Sequence, residues 1–245
     1  MKFSFRLPLI AFLFFVTHSF AQQTSFKEGN SYRLSLNAGP GSFTSAFAWS
    51  HSYPVSTNHR FKVGYGIRMS NFFGADLNYR TAPAKYTSGK ASFAALFADD
   101  IKTNIDTVRF SSVQTNSLNL GIYLNYLLPS FKNKLELGIN IDAIGFSFGG
   151  KQTGVYKGQN ISAKPTGFNA LLVSDSDLGS LNSEWYASYW VSKKIAVQLG
   201  YTFIFSEYTT DNKIQQIPNS TDKNDRFRSK ASQLMIGIKI SPFRK

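Results

Sequence analysis

Between residues 32 and 240 the chain repeatedly alternates apolar and polar side chains with a period of two, which restricts it largely to half-buried β-strands. Leu234, Ile236, Ile238 and Ile240 interleave with Gln233, Met235, Gly237 and Lys239. The same pattern sets Val197, Leu199, Tyr201, Phe203 and Phe205 against Ala196, Gln198, Gly200, Thr202 and Ser206. It returns around Leu118–Tyr126, Leu135–Ile141 and Phe61–Met69. Weaker versions cover 32–39, 43–53 and 183–192, which brings the expected strand count to eight. Beyond Ile141 the apolar phase slips to Ile144, Phe146 and Phe148, so a β-bulge is expected near 143–145.

The connections differ in length in an ordered way. Residues 54–59, 129–133 and 193–194 are tight turns, and 39–41 is short. The stretches 74–114, 149–182 and about 207–228 are long. Short turns at one end, long loops at the other and an even strand number describe a transmembrane antiparallel up-and-down β-barrel. On this rhythm the chain resembles the small eight-stranded outer-membrane barrels of the OmpA/OmpX-like type, over residues 31–243. The resemblance implies fold and location and assigns no activity. It also implies a lipid bilayer as surroundings, with phospholipid in the inner leaflet and lipopolysaccharide in the outer. Barrel-assembly machinery and periplasmic chaperones would be its folding partners. The terminal strand departs from the family pattern, because Pro242 breaks the alternation and Phe243 precedes Arg244 and Lys245.

The first residues read as an export signal. Lys2 and Arg6 precede an apolar run over 7–16, and small residues at Ser19 and Ala21 mark a cut after Ala21. The run is about half the roughly 20 residues a membrane-spanning helix needs. The expected organisation is a signal peptide at 1–21, a short periplasmic segment at 22–30 and a barrel domain at 31–245. The formal charge of +13 falls to +11 when Lys2 and Arg6 leave. Much of the remainder lies in or beside the short turns, at Arg60, Lys62, Lys132, Lys134, Lys193, Lys194, Arg244 and Lys245, which suits anionic headgroups. These cations are not interleaved with aromatics along a groove, so nucleic acid is not expected as a partner.

Charged residues are 17% of the chain, below the ~25% usual for soluble domains. The absence of Cys excludes disulfides, thiolate metal sites and a cysteine nucleophile. Aromatics expected at the membrane interfaces are Trp49, Tyr53, Phe61 and Tyr126 at the turn end, and Trp185 and Tyr208 at the loop end. With the aliphatic face in lipid, the lumen receives Arg33, Lys62, Arg68, Glu136, Asp142, Glu184 and Lys239. An eight-stranded interior is only wide enough to be filled by its own side chains or one small ligand. Buried charges must therefore meet opposite charges. By height, Glu136 should gather Lys62, Lys239 and Arg33, and Asp142 should meet Arg68. The longest loop holds an apolar face at Phe93, Leu96 and Phe97, a candidate lid over the barrel mouth.

No catalytic residue is assigned. His51 stands between Trp49 and Tyr53 with no carboxylate at its level, and His59 sits in a turn, so neither builds a nucleophile–base pair. After removal of the signal, which carries His18, two histidines remain, and without Cys they offer no metal site; no cofactor is expected. Asp175, Ser176 and Asp177 lack the Gly and Glu of a calcium loop and read as a solvated turn. The expected protein is a non-enzymatic outer-membrane barrel whose polar side chains close the lumen and whose loops support or bind. The alternatives are a narrow conduit for small hydrophobic molecules and an accessory barrel of a secretion or surface-assembly machine.

Overall fold

The computed structural model describes residues 29–90, 98–172 and 177–244. The expected signal peptide and the lid residues Phe93, Leu96 and Phe97 lie outside the described residues. Eight strands build the main body: β1 (Asn30–Gly39), β2 (Ser42–Pro54), β3 (Phe61–Thr81), β4 (Thr107–Leu128), β5 (Leu135–Phe148), β9 (Leu181–Trp190), β10 (Ile195–Thr210) and β13 (Arg226–Ile240). Shorter strands intervene: β6 (Gln152–Tyr156), β7 (Gln159–Pro165), β8 (Phe168–Ala170), β11 (Gln215–Gln216) and β12 (Lys223–Asn224). The eight pair antiparallel in chain order, and β13 returns to β1 through Arg33↔Lys239 and Leu36↔Ile236, so the pairings form a ring.

Parity along the ring strands separates two faces. Outward positions hold exposed Leu34, Phe47, Ile67, Leu120, Leu199 and Ile236, and Leu234 reaches 73% exposure. Inward positions on the same strands are buried Arg33, Ser35, Arg68, Asn119, Glu184 and Gln198. The outward positions of β3 are mostly apolar from Phe61 to Phe73. At about 3.3 Å per residue and a tilt of about 40°, this belt rises roughly 30 Å. Among the described residues, no Asp, Glu, Lys or Arg takes an outward position within it. In water, each fully exposed large side chain would forfeit about 1.5–3 kcal/mol of burial, and soluble proteins do not sustain patches of this extent. The belt therefore matches a hydrocarbon solvent, with the sheet inverted relative to a soluble barrel.

A bulge relieves the phase slip in β5: Leu120 faces Ile144 while Gly121 faces Asp142, leaving Ala143 over. Outward apolar residues continue on the new parity as Ile144, Phe146 and Phe148, and the ladder survives.

The long connections carry regular structure of their own. β3 continues to Thr81, β4 starts at Thr107, and β6, β7 and β8 occupy part of the third connection. Above the belt β1 and β2 have ended, so β3 meets β13 directly at Thr81↔Phe227. β6 pairs with β4 and β7 with β10. The pairings β13–β3–β4–β6–β7–β10–β13 form a second, smaller ring above the first. Its interior is apolar, packed with Tyr79, Val108, Phe110, Tyr156, Tyr208 and Phe227. Parity in β3 and β4 reverses between the two rings. Inward residues are Phe72 and Gly74 below but Tyr79 and Thr81 above, and Asp76 sits at the reversal with φ of 55°. The chain thus switches from polar-in to apolar-in where it leaves the belt.

Candidate functional site

The interior of the main ring is the candidate site, and its side chains stack in layers. At mid-height Arg68, 1% exposed, reaches across from β3. Its Nη2 donates to Asp142 Oδ1 at 2.5 Å and to the Asn182 carbonyl at 2.9 Å. Its Nη1 donates to Asn140 Oδ1 at 3.0 Å and lies 2.7 Å from Glu184 Oε1. Asn119 Nδ2 and the Asn182 backbone N–H complete Asp142 at 2.8 and 3.0 Å. Asn140 Nδ2 donates to Glu184 Oε2 at 2.8 Å. Both carboxylates are therefore held by charge and by amide donors, the arrangement that makes a buried ion tolerable.

Arg33 also belongs to this layer. It was expected beside Glu136, but it forms its ion pair with Glu184. The reason lies in the register: Arg33 stands directly opposite Lys239 on β13, so like charge drives its guanidinium away from the Glu136–Lys239 pair. The Tyr186 ring lies 5.1 Å from it and the Tyr123 ring 5.9 Å, adding cation–π attraction. Tyr186 in turn donates to Asn125 Oδ1 at 3.0 Å. Glycine makes room for both rings: a Cβ at Gly138 would collide with Tyr186, and one at Gly66 would fall 2.7 Å from Tyr123.

Nearer the turns, Glu136 receives Lys239 Nζ at 2.6 Å, and Lys62 Nζ lies 3.6 Å away. Beneath them opens a cavity of about 290 Å³, lined also by Trp190, Ser241, Arg244 and His59. Above the ionic layer, Asn169 Nδ2 donates to Asn119 at 2.7 Å and Ser147 donates to Asn169 at 2.9 Å. Asn182 donates to Ser70 at 3.1 Å. The apolar core of the second ring follows, where Tyr79 donates to Ser206 at 2.9 Å and Tyr208 donates to the Gln114 carbonyl at 2.9 Å. The seven lumen residues inferred from parity thus fall into two connected clusters, one around Arg68 and one around Glu136.

The aromatic residues divide differently. Phe61, Tyr126 and Trp185 are exposed on the outer face, and Trp49 packs edge-on against Tyr65 at 6.0 Å. Trp185 pairs with Ile139 and Tyr201, which puts it within the belt and not at its loop-side edge. Tyr53 stacks edge-on to His51 at 4.5 Å, and His51 Nδ1 lies 3.0 Å from Asn30 Oδ1. Tyr208 is a correction: it is fully buried, packed against Tyr79 and Phe110. Its even parity on β10 is the inward one, so it cannot face headgroups.

A further ionic cluster escaped the sequence reading. Glu207 is fully buried and accepts from Arg226 Nε at 2.8 Å and Arg228 Nη2 at 2.8 Å. Arg226 Nη2 also donates to the Asp177 carbonyl at 3.0 Å, and Gly179 N–H donates to Glu207 at 3.2 Å. Asp177 is buried and so does not belong to a solvated turn, while Asp175 and Ser176 lie outside the described residues. Opposite charges at facing positions, Glu207↔Arg228, were the available signal. The roof carries looser pairs. Lys151 donates to Asp211 at 2.8 Å and holds that carboxyl below its ordinary range. Asp106 accepts from Tyr156 and lies 3.0 Å from Lys157, raising the lysine above its ordinary value. Among the described residues, no group of three or more His, Asp or Glu is arranged to hold a metal ion.

The chain matches no protein-family model and no curated protein. Solved structures similar to it include Neisserial surface protein A, at 8% identity over 86% of this chain and 94% of that one, with a TM-score of 0.35. A de novo designed transmembrane β-barrel aligns at 11% identity over 86% and 94%, TM-score 0.32. The outer membrane protease OmpT of Escherichia coli aligns at 12% identity over 84% and 67%, TM-score 0.35. At scores this low the superpositions add nothing to what register and burial show directly.

Proposed function

We propose that this protein is an integral outer-membrane β-barrel of eight strands, OmpA/OmpX-like in build, without enzymatic activity. In this reading the short turns face the periplasm and the second ring stands outside the cell. The observation that carries it is the pairing of an uncharged apolar belt outside with a hydrogen-bonded ionic network inside. Arg68, Asp142, Glu184 and Arg33 pair across the lumen at mid-height, which supports a closed barrel with a structural or binding role. Binding belongs to the roof, where ordered connections present charged side chains. A conduit for hydrophobic molecules is less well supported, because the apolar space above the network is filled by Tyr79, Phe110, Tyr208 and Phe227.

The test combines location and conductance. The protein should fractionate with outer membranes and migrate faster on gels before boiling than after. In planar bilayers it should give no sustained nanosiemens-scale current. A soluble fraction without a heat-dependent shift would overturn the membrane assignment, and a stable large conductance would overturn the closed lumen.

A further inference from the structure

The cavity at the turn end is rich in donors and poor in acceptors. Lys62, Lys239, Arg244 and Trp190 line it, and among the described residues Glu136 is its single carboxylate. That carboxylate is already engaged by both lysines, at 2.6 Å from Lys239 and 3.6 Å from Lys62. Trp190 is 3% exposed, and among the described residues its indole Nε1 meets no hydrogen-bond acceptor. Its ring forms part of the cavity wall. The Arg244 guanidinium lies over the same indole at 3.8 Å, and Lys239 Nζ lies 5.5 Å from the ring. Serine hydroxyls from Ser31, Ser52 and Ser241 also line the wall.

We infer that this cavity binds a phosphate monoester group. Among the described residues, three cations against one carboxylate leave a charge of +2, which matches a group carrying about −1.5 to −2 at neutral pH with three acceptor oxygens. A guanidinium and two ammonium groups supply charge-assisted donors to those oxygens. A volume of about 290 Å³ accommodates the phosphate and a small substituent such as glycerol. The inference does not depend on which compartment the turn end faces, so it stands or falls separately from the proposed function.

The test uses the full chain, folded in detergent and labelled with ¹⁵N-tryptophan, which gives three indole signals. Trp190→Phe assigns its own signal. Titration with inorganic phosphate, at ionic strength held constant with chloride, should shift the Trp190 indole peak saturably and leave Trp49 and Trp185 in place. Arg244→Gln and Lys62→Gln should each weaken binding at least tenfold, with the heat-dependent gel shift confirming that each variant folds. Arg244→Gln alone suffices if Lys62→Gln does not fold. Glycerol phosphate and short-chain phosphatidic acid then separate the sources: preference for the first indicates a soluble solute, and for the second a lipid headgroup. No saturable shift at Trp190, or an unchanged affinity in the folded Arg244→Gln variant, overturns the site.

Discussion

At the scale of single residues, two kinds of ion pair should behave in opposite ways. Arg68 neutralises two carboxylates that are themselves 1–2% exposed. Removing one partner of a buried pair leaves an uncompensated charge and costs about 3–5 kcal/mol. Arg68→Met should therefore lower stability by about that amount, measured by urea unfolding in phospholipid vesicles; a loss below about 1 kcal/mol would contradict the network. Asp211 is the contrast. Hydrogen bonding from Lys151 lowers its pKa, so its contribution is present above about pH 4, near the ordinary carboxyl value, and fades as pH falls through the lowered value. Because both side chains of that pair are solvent-exposed, Asp211→Asn should leave the unfolding midpoint at pH 7 unchanged, whereas a clear drop would assign the roof pair a structural weight its exposure does not support.

At the scale of elements, the β6–β7 hairpin closes the upper ring and the lower ring does not use it. Replacing residues 151–166 by a short glycine-serine linker should keep the heat-dependent gel shift. It should also expose Tyr79, Phe110 and Tyr208, raising binding of an apolar dye and cleavage of 82–106 by protease. Loss of the gel shift would show instead that the two rings fold as one unit. This division also explains what the sequence made legible. Within the belt, alternation reports the lipid face directly, so strands, their parity and the bulge at Ala143 could be read from residue order. The height of Arg33 could not fix its partner, because strand stagger and the facing Lys239 decide where its side chain goes. The upper ring was harder still, because alternation reverses near Asp76. Leu77, Tyr79 and Thr81 then sit among Asn78 and Arg80 as they would in a short soluble strand. Tyr208 has a different reason: its even parity is inward along all of β10, and the apolar-in storey gives its ring an interior to fill.

At the scale of the whole molecule, two solvents act on one sheet. Hydrocarbon selects apolar residues outside and forces charges inward, where they must be paired. Water around the upper ring selects the reverse, and the strands carry both patterns end to end. Orientation of the belt toward lipid is the claim on which the rest depends, and the absence of native Cys permits a direct measurement. Single cysteines at Leu234, Ile236, Ile238 and Lys230, each carrying a nitroxide, can be compared by electron paramagnetic resonance in proteoliposomes. Labels at 234, 236 and 238 should collide readily with dissolved oxygen and scarcely with a water-soluble nickel chelate, while the label at 230 shows the opposite preference. Strong collision with the chelate at 236 and 238 would contradict the account.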